Sequence, residues 1–241
     1  MKIKLTISYD GSQFFGSAIQ PDQVTVHSKL LDAFKILKID PKLNMSGRTD
    51  RDVHAFRQII SCDVPEHWRG EFKNFKKVLN KLLPNSILIR NITEESSDFH
   101  ARFSAKKREY RYLFTDKKLT PFNANYISYY ETIDEDIIKE AIKILEGEHD
   151  FEYFSKKGSE PATTIREIYK IRFYKHKDIY VLNFQANSYL RSQIRMMVDF
   201  VLKISRGKLT LDDLQKQLRK DKLISWTLAS PHGLYLSNIT Y

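Results

Sequence analysis

Ser46-Gly47-Arg48-Thr49-Asp50, then Val53-His54-Ala55, then an apolar-rich run over residues 56–64, reads as a Gly-containing turn feeding a β-strand. A junction of this kind lets rigid elements hold one reactive side chain toward a substrate. Asp50 is the carboxylate that the turn offers. The same five residues also fit an ordinary solvated turn, so the rest of the chain decides between the two readings.

On either side of this stretch the patterning is regular. Ile3, Leu5, Ile7 and Tyr9 alternate along a strand over residues 2–9. Thr25 suits the N-cap of a helix whose apolar stripe is Val26, Leu30, Ala33, Phe34 and Leu37. Phe72, Phe75, Leu79 and Leu82 mark a second helix that stops before Pro84. A strand over 86–92 closes this half. The second half is built similarly, from a strand over 108–114, a helix from the cap Asp134 to Leu145 ended by Gly147, and paired strands over 165–174 and 179–184. A helix along Leu190, Ile194, Met197 and Val201 then runs to Gly207. Thr210 with Asp213 opens a short helix, and 234–240 is a final strand. Strand–helix–strand halves with hairpin-like pairs imply an α+β protein rather than a parallel doubly wound sheet. The join falls in the polar connection Thr93-Glu94-Glu95-Ser96-Ser97-Asp98, giving subdomains 1–97 and 98–241.

A chain of 241 residues can bury a sizeable core. No apolar run is long enough to span a bilayer, and the N-terminus reads as a strand rather than a secretory signal. The single cysteine, Cys62, excludes an internal disulfide and suits a reducing cytoplasm. It shares strand parity with Ile60 and Val64, so it reads as a buried structural thiol.

Lys+Arg 40 against Asp+Glu 30 gives a net charge of +10, unevenly placed. Arg102, Lys106, Lys107, Arg108, Arg111, Lys117 and Lys118 lie close together, interleaved with Phe99, Phe103, Tyr110, Tyr112 and Phe114. That pattern fits a phosphate backbone with exposed bases, and it also fits a lysine-protected strand edge. Other chemistries lack a motif. There is no G-x-G-x-x-G, no Walker loop, no zinc-ligand spacing and no Ser elbow. Arg191 and Arg195 stand four apart on an expected helix beside Leu190, Ile194 and Met197. Like charges at that spacing call for an anion nearby or a solvated flank with snorkelling stems.

The chain resembles the TruA family of tRNA pseudouridine synthases over nearly its whole length. The segments that carry the resemblance are Tyr9-Asp10-Gly11-Ser12, Ser46-Gly47-Arg48-Thr49-Asp50 with Val53-His54-Ala55, and Asp98-Phe99-His100-Ala101-Arg102-Phe103-Ser104-Ala105. They continue with Arg108-Glu109-Tyr110-Arg111-Tyr112, Gly147-Glu148-His149-Asp150-Phe151, Ala186-Asn187 through Gln193-Ile194-Arg195, and Gly233-Leu234-Tyr235-Leu236. The resemblance implies a pseudouridine synthase fold: a central mixed, mainly antiparallel sheet flanked by helices, in two related halves around an RNA cleft. It implies isomerisation of uridine to pseudouridine in the tRNA anticodon stem-loop, at tRNA positions 38–40, with no cofactor and no metal. A cytoplasmic homodimer without membrane contact is implied as well.

By motif match, Asp50 is the expected catalytic nucleophile and Arg195 the guanidinium that keeps it ionised and aimed. Tyr110 is expected to stack on the uracil, and Arg48 to fill the space left by the flipped base. Lys106, Lys107, Arg108 and Arg191 are the expected RNA contacts. The family usually has Ala-Gly directly after its catalytic Asp, where this chain has Arg51-Asp52. It also lacks the usual Trp after Gly16, and Asp199 stands where the family tends to have Gly. Two other classes fit parts of the pattern: a non-catalytic RNA-binding or tRNA-chaperone protein on the same fold, and a nucleic-acid hydrolase. The second normally needs a metal-binding carboxylate cluster, for which the sequence offers no pattern.

Overall fold

The computed structural model describes residues 1–158 and 161–241. In chain order the elements are β1 (Lys2–Tyr9), α1 (Val26–Ile36), β2 (Asn44–Met45), β3 (His54–Asp63), α2 (Phe72–Leu82), β4 (Ile87–Glu94) and β5 (Lys107–Thr115). There follow β6 (Ser128–Tyr129), α3 (Glu135–Leu145), β7 (Gly147–Asp150), β8 (Ile165–His176), β9 (Ile179–Ala186), α4 (Gln193–Ser205), α5 (Leu211–Leu218) and β10 (Leu234–Thr240). The fold class is α+β, as the alternating patterns require.

The described residues form two compact units, Met1–Lys106 with Tyr235–Tyr241, and Lys107–Leu234. These differ from the expected 1–97 and 98–241 subdomains for two physical reasons. The segment after residue 97 is tied to β3, where the Ala101 amide donates to Ser61 Oγ at 3.0 Å. The chain's last strand returns to the same sheet, with Tyr235 and Leu236 beside His54 and Ala55 in parallel register. Composition at a polar join carries neither fact.

In the first unit β1 is the middle strand, antiparallel to both β3 and β4. Ile3, Leu5 and Ile7 are fully buried, as are Val26, Leu30 and Phe34 on α1 and Phe75 and Leu79 on α2. The helices meet through Phe34 and Phe75, edge to face at 6.1 Å. Thr25 caps α1 in a reciprocal box with Ser28. Where the β1–β4 register shifts between Thr6 and Ile7, the Asn80 side chain of α2 pairs with both backbone groups of Ile89, at 2.8 and 2.9 Å. A side-chain amide thus fills hydrogen bonds that an irregular ladder leaves open. Residues 96–105 run over a second region of this sheet, held at Ala101 by Ser61 and by the Tyr241 hydroxyl at 2.7 Å.

In the second unit the strand order is β5-β9-β8-β7, with β6 parallel to β5. Tyr112, Phe114, Leu182 and Phe184 are fully buried, together with Ile138 and Leu145 of α3 and Met197, Phe200 and Val201 of α4. Asp134 caps α3 by accepting from the Asp136 and Ile137 amides. Gly147 ends that helix at φ +101° and also opens β7, a strand at residues that the sequence pattern left as loop. α4 begins at Gln193, so Arg191 lies before the helix rather than on it. Ser192 takes a left-handed conformation at φ +58°, and the Gln193 side chain accepts from the Leu190 amide at 2.8 Å. Among the described residues no helix is long and apolar enough to cross a membrane.

Candidate active site

The turn at residues 46–53 enters β3 under heavy restraint. Ser46 is buried; its amide donates to Ile59 O at 2.9 Å and its hydroxyl to Gln58 Oε1 at 2.5 Å. Gln58 Nε2 in turn donates to Gly47 O at 2.8 Å. Thr49 is held at three atoms: its amide donates to Ser17 Oγ at 2.8 Å, its carbonyl accepts from the Ser17 amide at 3.1 Å, and its hydroxyl shares a 2.8 Å bond with Tyr9. Asp50 then opens a four-residue turn closed by the Val53 amide donating to Asp50 O at 3.2 Å. Thr49 is buried while Arg48 is exposed and Asp50 half-buried. Anchoring the residue between them from three directions orients both neighbours with little freedom left in the backbone.

Two glycines make that possible. A Cβ on Gly16, which sits at φ +99°, would lie 3.0 Å from Thr49 O and 3.5 Å from the Asp50 carbonyl carbon. One on Gly11 would collide with Val53 O at 2.1 Å. The Tyr9-Asp10-Gly11-Ser12 segment is therefore a support for the Asp50 turn, through the Tyr9 hydroxyl and the bare backbone of Gly11. Burial pushes the Tyr9 hydroxyl up to about 12, against the opposing hydrogen bonds from Thr49, Gln58 and Ser17. It therefore stays a neutral partner across the working range. Cys62, fully buried on β3, is likewise pushed up to about 12 by burial and is inert as a nucleophile.

Tyr110, Arg195, Arg108 and Arg191 belong to the second unit. Tyr110 lies in β5 opposite Phe184, 8 % exposed, with its ring edge to face with Tyr189 at 5.4 Å. Arg195 is half-buried on the first turn of α4. Its Nε donates to Ala229 O at 2.8 Å while the Ala229 amide donates to Arg195 O at 3.0 Å. This reciprocal pair fixes the root of the guanidinium. Arg191 is exposed and reaches Lys157 O at 3.2 Å.

The chain is similar to known proteins along its whole length. The family model described as tRNA pseudouridine synthase matches residues 141–241. The tRNA pseudouridine synthase A of Campylobacter jejuni subsp. jejuni strain 81-176 is 40% identical over 241 residues, covering all of both chains. That of Helicobacter pylori strain ATCC 700392 / 26695 is 36% identical over 99% of this chain and 98% of its own, and that of Geobacillus sp. strain WCH70 is 34% identical over 100% and 98%.

The chain belongs to the tRNA pseudouridine synthase A family. It is an isomerase that makes pseudouridine in tRNA. The family-model match contains Arg191 and Arg195, and the full-length relatives also cover the Asp50 turn.

For this synthase the pleat of β5 sorts the basic and aromatic residues that composition had mixed. Tyr110, Tyr112 and Phe114 are buried on one parity of the strand, and Arg111 is exposed on the other. Tyr112 and Phe114, fully buried, are therefore core packing in β5, whereas Tyr110 keeps a small exposed edge, and Phe103, 76 % exposed beside Arg102, is the most open of the five. Lys106 is exposed, Lys107 pairs with Glu109 at 3.3 Å, and Arg108 donates to Asn187 O at 2.8 Å. Sequence reasoning missed Tyr9, Ser17, Gly16, Thr49 and Gln58 as the frame of the Asp50 turn. The signal was present only as polar residues at inward strand positions, Gln58 above all, fully buried in β3.

Proposed function

We propose that the synthase acts on uridines of the tRNA anticodon stem-loop, with Asp50 as its nucleophile. The observation that supports this reading is the restraint on the Asp50 turn: Thr49 is bonded at amide, carbonyl and hydroxyl, so the next side chain is presented at a set angle. A carboxylate in that setting can attack an electron-poor centre and later leave, dividing one hard step into two. In the net reaction the N1–C1′ bond breaks, the base rejoins the ribose through C5, the C5 proton leaves and N1 takes up a proton. Substrate and product have the same mass.

Arg195 orients the carboxylate with its guanidinium fork, Tyr110 stacks on the uracil, and Arg48 occupies the space that the flipped base vacates. Arg48, exposed and two residues before Asp50, has the length for that task. Lys106, Lys107, Arg108 and Arg191 contact RNA phosphates. No cofactor or metal enters the reaction, and the enzyme works as a cytoplasmic homodimer.

Pseudouridine-specific chemical labelling of tRNA treated with the enzyme tests this reading. New label in the anticodon stem-loop with the native protein, and none with Asp50→Ala, is the expected result. Label outside the stem-loop overturns the substrate assignment, and turnover by Asp50→Ala overturns the nucleophile.

A further inference from the structure

Arg51 and Asp52 follow the nucleophile directly, and the geometry around them is a built one. The Arg51 guanidinium carbon lies 4.4 Å from the centroid of the Phe15 ring. Its Nε faces Asp52 Oδ2 at 3.5 Å, and Asp52 is held at φ +64°, in a left-handed conformation that Asp adopts only at some cost. The Arg51 side chain nevertheless remains 64 % exposed. One face of the guanidinium is thus occupied by a ring and its Nε edge by a carboxylate. The rest of the side chain is largely open to solvent.

We propose that Phe15, Arg51 and Asp52 form a subsite that grips one backbone phosphate of the RNA beside the target uridine. The inference rests on the proposed role of Asp50 and adds a contact that fixes the strand at the reacting nucleotide. A planar fork of N–H donors matches two phosphate oxygens, and that match is why arginine suits phosphate. The Phe15 ring gives the guanidinium a platform, which lowers the rotational freedom that a flexible arginine otherwise loses on binding. Asp52 does not cancel the site, because its contact is a long one, 3.5 Å at Nε, and the Arg51 side chain stays 64 % exposed. Phosphate rather than a base is the ligand: one guanidinium face already carries an aromatic ring, and the N–H donors that suit two phosphate oxygens lie in the guanidinium plane.

The test is steady-state kinetics and tRNA binding across a salt series for Arg51→Ala, Arg51→Lys and Phe15→Leu, with Asp50→Ala as control. For Arg51→Ala, KM should rise about tenfold, and the slope of log affinity against log salt should fall by about 0.7–0.9. Arg51→Lys should keep the slope and lose several-fold in affinity, since a point charge replaces the fork. Phe15→Leu should do the same, because the charge stays while its platform goes. An unchanged salt slope in Arg51→Ala overturns the proposal: with KM also unchanged Arg51 makes no contact, and with KM raised it stacks on a base. An inactive Asp50→Ala control in either case leaves the nucleophile reading intact; an active control overturns that reading separately.

Discussion

Tyr9 and Thr49, forty residues apart in sequence, share a buried hydroxyl–hydroxyl hydrogen bond of 2.8 Å. The bond ties the last residue of β1 to the residue before Asp50, so the strand at the centre of the first unit's sheet helps set the orientation of the turn that carries Asp50.

Tyr9→Phe removes that bond and keeps the ring. The buried Thr49 hydroxyl loses a partner, and stability should fall by about 1–2 kcal/mol. Because Asp50 follows Thr49 directly, kcat should fall more than KM changes. Urea unfolding and steady-state kinetics read the two effects. A fall in stability with kcat intact would show that Tyr9 supports the fold but not the aim of Asp50.

Alkali should unfold the protein early. Burial raises the Tyr9 hydroxyl from its ordinary 10 to about 12 and the Cys62 thiol from 9 to about 12. A raised folded-state value means that the folded chain holds its proton where the unfolded chain has lost it. Each contribution is therefore complete below the unfolded value and is lost as pH rises through the folded one. Stability should decline from about pH 9 for Cys62 and pH 10 for Tyr9, ending near 12, by about 1.4 kcal/mol per pH unit for each group. In Tyr9→Phe the decline from pH 10 should be shallower by one such group. An equal slope in the variant would mean that Tyr9 ionises as easily folded as unfolded.

Much of the fold was legible because its signals are local. The alternation of Ile3, Leu5 and Ile7, the Thr25 cap, the Asp134 cap and the Thr210–Asp213 box each lie within one element, and the structure places each as read. What escaped was set by distant partners or by single backbone angles. Ser192 at φ +58° caps α4, which starts at Gln193, three residues after Leu190, and this takes Arg191 off the helix. The Asp50 motif could be seen, but its frame could not. Gly11 looks like any turn glycine until Val53 O is found where its Cβ would be. The β5 aromatics were legible in principle, since a period of two puts Tyr110, Tyr112 and Phe114 opposite Arg111; a composition window blurs that parity.

Arg195→Lys tests the fork. Arg195 Nε donates to Ala229 O at 2.8 Å, which fixes the guanidinium at its root. Lysine carries the charge on a flexible stem with no planar pair of donors. Isomerisation should drop by about two orders of magnitude or more, as for loss of a positioning interaction in the transition state. Arg191→Lys, at an exposed residue outside α4, should cost far less. Single-turnover rates on tRNA measure both. Equal rates for Arg195→Lys and the native enzyme would remove Arg195 from the reaction.

The basic run should not act as one unit. Lys106 is exposed, whereas Lys107 pairs with Glu109 and Arg108 is committed to Asn187 O. Replacing all three by Ala should flatten the salt dependence of tRNA binding, with Lys106→Ala alone producing about 0.7–0.9 of slope if it neutralises one phosphate. Arg108→Ala should lower stability by about 1 kcal/mol through its lost bond to the residue that follows β9. Salt-series binding and thermal unfolding separate the charge effect from the packing effect. A triple variant with the native slope would mean that these residues only decorate a strand edge.

Gly16→Ala is the sharpest probe of the turn itself. Gly16 sits at φ +99°, where an L side chain is strained, and the added Cβ would press on Thr49 O at 3.0 Å and the Arg51 amide at 3.4 Å. Both neighbours are backbone atoms, and the closer one, Thr49 O, already accepts from the Ser17 amide, so it cannot yield without moving the residue before Asp50. Stability should fall by about 1–3 kcal/mol. At a temperature where the variant is still fully folded, kcat should be reduced at least tenfold, because a shift of a fraction of an ångström at a positioned group carries a large penalty in rate. Tyr9→Phe loosens the same turn from the opposite side, and the two changes share Thr49 as partner, so their effects on kcat should not add. A double variant whose loss equals the product of the single losses would mean that Gly16 and Tyr9 act on Asp50 independently.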